Sequence, residues 1–144
     1  MSKIFEYIPY QRIGEFFYGA QRNKIKEVYG EPKSSQMYGY PEEDSYLDEY
    51  DGFHILCSKD EKLEAIDFLP FLSKEDIILR MGSYEVVLCR EPNDLVENLS
   101  KLTDDLVVDD EACGYSSEKL GLKIYCPDEE VESVIVYERN YYDY

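Results

Sequence analysis

The chain has 144 residues, 44% of them hydrophobic, which is enough for one buried core and too apolar for a wholly disordered segment. Its 32 acidic residues against 15 basic ones give a formal charge of −17, which disfavours direct binding to nucleic acid or to anionic lipid and favours basic partners. No basic start followed by an apolar run marks a secretory signal, and no stretch reaches membrane-spanning length, so a cytoplasmic protein with its four cysteines as thiols is expected.

Apolar alternation from Ile4 to Ile8 predicts a first strand, and Ile13 to Tyr18 a second short run broken by Gly19. A helix is expected from Ala20 or Gln21 to Gly30, with Ile25, Val28 and Tyr29 on its buried face and Pro32 preventing continuation. Residues 33 to 51 are polar and rich in Tyr, and predict one or two short strands around an acidic connection. A hairpin follows: Gly52 to Cys57 alternates, stops at the turn Ser58 to Lys62, and alternates again from Leu63 to Phe68.

In the second half, Ile77 to Leu79 and Val86 to Leu88 flank Gly82-Ser83 as another hairpin. Pro92 opens a second helix whose stripe is Leu95, Val96, Leu99 and Leu102. A short strand is expected at Leu106 to Val108. Gly121 to Cys126, the turn Pro127 to Glu130 and Val131 to Val136 then repeat the pattern of the first hairpin. The fold expected is α+β: a single domain, 1–144, built of two tandem helix-plus-antiparallel-hairpin repeats, about 1–72 and 73–144, sharing one core. Cys57 and Cys126 fall at matching places and read as small buried hydrophobes.

Groups that could act together in catalysis are scarce. His54 is the one histidine, on the strand parity opposite Phe53 and Ile55, and the cysteines form no C-x-x-C pair, so no metal site and no cofactor is expected. No nucleophile motif or phosphate-binding glycine loop is present. Acidic residues are so numerous that no carboxylate pair stands out, and the chain is expected not to be an enzyme.

A small, acidic, Tyr-rich α+β chain of this kind resembles the immunity proteins of bacterial polymorphic-toxin and contact-dependent inhibition systems. Locally, Gly14 to Gly19 leading into Asn23 to Pro32 is similar to the opening of tandem β-lactamase-inhibitor-like domains, though the second copy has Lys101-Leu102-Thr103 where the first has Gly30-Glu31-Pro32. The resemblance implies stoichiometric binding of a basic protein, a toxin C-terminal domain and foremost a nuclease, whose phosphate-binding cleft attracts an acidic surface.

The surface expected to bind that partner is Tyr40, Glu42, Glu43, Asp44, Tyr46, Asp48, Glu49 and Tyr50, because carboxylates and aromatic faces both receive Arg and Lys. Asp104, Asp105, Asp109, Asp110 and Glu111 form the alternative patch. Two other functions fit the composition: a DNA-mimicking adaptor, and a small enzyme or ligand-binding domain using the groove between the repeats. A solubilising surface with no specific partner accounts for the same charge.

Overall fold

The structure, a computed structural model, describes residues 2–39, 42 and 44–142. The first half contains β1 (Ser2–Ile8), β2 (Arg12–Ile13), β3 (Phe16–Phe17), α1 (Arg22–Tyr29), β4 (Ser34–Tyr38), β5 (Ser45–Tyr50), β6 (Phe53–Cys57) and β7 (Leu63–Phe68). A 3-10 turn at Pro70–Leu72 leads to β8 (Asp76–Met81), β9 (Tyr84–Val87), α2 (Pro92–Leu99), β10 (Val107–Asp109), β11 (Gly114–Ser117), β12 (Leu122–Tyr125) and β13 (Ser133–Tyr137).

These strands make two sheets. The smaller is mixed, in the order β3-β2-β1-β8-β9, with β1 and β8 parallel. The larger is antiparallel throughout, in the order β10-β11-β12-β13-β7-β6-β5-β4. The protein is thus a mostly-β α+β fold with two short helices.

Each hairpin read from the alternation is present, and Phe53, Ile55, Cys57, Ile66, Phe68, Leu122, Ile124, Val134 and Val136 are all buried, while Cys126 is half-buried. Phe5 and Tyr7 of β1 reach the same core, Phe5 meeting Phe53 and Phe68 edge-on at 5.4 and 5.0 Å between ring centroids. The small sheet and the helices therefore lie over one face of the large sheet, and all bury against it.

The helices end for local reasons. Gly30 takes φ +85° and returns its N–H to the Lys26 carbonyl, while Pro92 and the Glu91 carboxylate, which accepts from the Asn93 N–H, open α2. Ile25, Leu95 and Leu99 are buried, but Val28 is 51% exposed and leaves the predicted apolar face of α1.

The tandem repeat is not evident in the fold. Three strands precede α1 and two precede α2, and the two halves join their leading strands in parallel but their hairpins antiparallel, so the element order is not a simple repetition. Among the described residues no helix is long and apolar enough to cross a membrane.

Candidate interaction face

Register fixes what the other face of the large sheet carries. Ser34, Glu49, His54, Asp67, Ile135, Lys123, Ser116 and Val107 are directly paired from strand to strand, one on each of the eight strands. Directly paired residues share a face. At about 4.8 Å per strand this row runs roughly 34 Å. Beside it runs a second row, Gln36, Leu47, Leu56, Ala65 and Tyr137. Leu56, Ala65 and Tyr137 are buried in a small cluster of their own, covered by Tyr10, Tyr38, Tyr141 and Tyr142.

Tyrosines from the C-terminal segment thus close part of this face. Tyr141 and Tyr38 share a hydrogen bond of 3.2 Å, and Tyr137, Tyr141 and Tyr142 pack ring on ring with centroids 4.9 to 6.2 Å apart. Burial raises the pKa of Tyr38 to about 12 and that of Tyr141 further, so both hydroxyls stay protonated at neutral pH.

The acids here are unusual. Asp67 is pushed up to about 6 by burial, which one hydrogen bond with Ser133 only partly offsets, and its Oδ1 has no partner among the described residues. Burial also raises Glu64 and Glu138, which lie side by side at the ends of β7 and β13 and share a hydrogen bond. His54, flanked by Glu49 and Asp67, is lowered by burial.

The first predicted patch is split by strand parity. Tyr46, Asp48 and Tyr50 alternate onto the core side of β5, opposite Cys57, Ile55 and Phe53. Asp48 is 1% exposed and bonded by Arg22 and Ser35, and the Tyr50 hydroxyl donates to the Gly30 carbonyl. Tyr46 is half-buried beneath the Arg22 guanidinium at 4.2 Å. Of that set Glu49, half-buried, lies on the open face, Asp44 is half-buried and Glu42 exposed, while Tyr40 and Glu43 lie outside the described residues.

The alternative patch is largely taken up in its own loop. Asp105 accepts from Ser117, Thr103 and the Lys119 N–H, which outweigh its burial and hold it at about 2. Asp104 pairs with Lys119, and Asp109 accepts from the Ala112 N–H. Asp110 and Glu111 remain exposed. The two patches sit at opposite edges of one sheet, near β5 and β10, and do not come together.

Asp67, Ile135, Lys123 and the C-terminal tyrosines were missed because none is conspicuous alone. The parity opposite the core positions of each hairpin would have found the first three.

No family model, curated protein or solved structure matches this chain.

Proposed function

We propose that the chain is a stoichiometric binding module for a basic protein, of the immunity-protein type, docking through the open face of the eight-stranded sheet and its acidic edges. The observation that carries this reading is the eight-strand row from Ser34 to Val107, which no helix or strand among the described residues covers and which carries Glu49, His54 and Asp67 beside a tyrosine cluster. Antiparallel sheets commonly leave one face to solvent, but such faces are usually uniformly polar, whereas this one mixes rings, carboxylates and aliphatic side chains as interface centres do. The excess of acid raises the capture rate of a cationic partner.

A hairpin duplication, not evident in the element order, is part of the same proposal. About the β7–β13 seam the strand order is mirrored, and Asp48-Ile55-Ile66 faces Val136-Leu122-Ser117 across it, with buried polar residues at both outer ends. Glu61 and Glu129 each hold a left-handed conformation (φ +58° and +64°) in the two hairpin turns. Two copies of a hairpin fused edge to edge would make a face twice as wide as one copy offers.

Co-expression with a toxin domain encoded beside this chain tests the reading. Growth should be restored and an equimolar complex recovered at low salt, with Glu49→Lys weakening both. Growth without a complex, or a complex indifferent to charge reversal anywhere on the open face, would reject it.

A further inference from the structure

One cavity of the acidic surface is lined by cations. It measures about 710 Å³ and opens at the β10–β13 end of the open face, between the turn after β1 and the C-terminal segment. Lys119, Lys123 and Arg139 face Asp109 and Glu118 there, three basic groups to two acidic ones, where the whole chain has 15 to 32. Its remaining walls are chiefly Tyr10, Tyr137, Tyr141 and Tyr142.

Of the three cations, Arg139 alone has no carboxylate partner among the described residues. The Arg139 guanidinium lies 4.2 Å over the Tyr10 ring and forms no ion pair among the described residues. A guanidinium stacked in this way keeps its N–H edge free for a bidentate oxyanion. Lys123 sits 3.9 Å over the Tyr142 ring and 4.0 Å from Asp109, whose carboxylate also receives the Ala112 N–H. Lys119 is committed to Asp104. Arg139 is therefore the unpaired charge, Lys123 lies beside it in a loose 4.0 Å contact with Asp109, and the walls around both are tyrosine rings.

From this geometry we propose that the cavity binds a ring-bearing organic phosphate of nucleotide size, with its phosphate on Arg139 and Lys123 and its ring against the tyrosines. The volume lies within the range of small-molecule sites, roughly 300 to 1,000 Å³. Asp104 and Asp105 adjoin the cavity through Lys119, whereas acids beyond about 8 Å oppose an anion only weakly because they are largely screened at physiological salt. The cavity shares Ser116, Lys123 and the tyrosines with the open face, but its ligand chemistry does not rest on the protein-binding reading.

Titration of the full chain with AMP, inorganic phosphate and adenosine, followed calorimetrically and by tyrosine resonances, tests it. AMP should saturate with a Kd at or below about 1 mM. Phosphate and adenosine should each bind at least tenfold more weakly. Arg139→Gln and Lys123→Gln should each weaken AMP by about tenfold, Arg139→Lys by less, with an unchanged thermal midpoint in all three because Arg139 is exposed and Lys123 half-buried at the surface. No saturable AMP binding, AMP binding unaltered in the Arg139→Gln, Lys123→Gln double variant, or adenosine binding as tightly as AMP would overturn the proposal; phosphate binding as tightly as AMP would overturn the role given to the ring.

Discussion

Arg22 on α1 grips Asp48 on β5 through two parallel hydrogen bonds, Nε to Oδ2 at 2.8 Å and Nη2 to Oδ1 at 2.7 Å. Arg22 also reaches Glu61 in the hairpin turn at 3.0 Å and stacks on Tyr46, so one side chain joins the helix, an outer strand and the β6–β7 turn. Burial would raise the Asp48 pKa, but the bonds from Arg22 and Ser35 outweigh it and lower it. With Asp48 1% and Arg22 9% exposed, removing one partner strands the other. Asp48→Ala should cost about 3 kcal/mol or more in urea unfolding, and Arg22→Met with Asp48→Leu together less than the single change, since a buried pair exceeds its apolar replacement by little. Additive losses in that cycle would contradict the clamp.

Glycine content gives a second test. Gly52 closes the β5–β6 turn at φ +82°, and a Cβ there would stand 2.5 Å from the Ser73 Cβ. Gly82 has φ +64° in the β8–β9 turn, with nothing within 4 Å. Both alanine variants incur backbone strain of about 1 kcal/mol, and only Gly52→Ala adds a steric overlap. The thermal midpoint of Gly52→Ala should fall well below that of Gly82→Ala; equal losses would mean that Ser73 yields freely.

Period-two alternation made the hairpins legible, and the glycine and proline ends with a helical apolar stripe made the two helices legible, so that nearly all of the core could be read. Pairing between distant segments was not legible. Nothing in the local pattern says that β7 joins β13 edge to edge or that β1 lies parallel to β8, since those choices rest on long-range packing. The acidic stretch from Tyr38 to Asp51 shows the same limit. Its charge suggested a loop surface, yet β-parity sends Asp48 and Tyr50 inward, where an arginine 26 positions earlier receives the carboxylate.

Charge steering should be visible in rates. With −17 formal charges, association with a basic partner should slow several-fold between low and physiological salt while dissociation changes less. Glu49→Lys, on the open face beside His54, should slow association further than Asp76→Lys, which is exposed on the small sheet at the start of β8. Stopped-flow rates across ionic strength measure both, and equal effects of the two reversals would move the docking surface away from the large sheet.

Asp67 makes stability depend on pH in an uncommon direction. Its folded pKa of about 6 lies above the unfolded value of about 3.9, so the folded state binds the proton more tightly. That contribution is fully present below about pH 4 and is lost as pH rises through about 6; Glu64 and Glu138, also raised, act in the same sense. Asp48 and Asp105, both lowered, act oppositely and lose their contribution only below about pH 4. Urea unfolding should therefore show stability greatest near pH 4 to 5 and falling toward pH 7. Asp67→Asn should flatten that decline and raise stability at pH 7 by about 2 kcal/mol. Glu111→Gln removes the same unit of charge from an exposed position and should change the profile little, so an equal effect of the two substitutions would assign the decline to overall charge rather than to the buried Asp67 carboxyl.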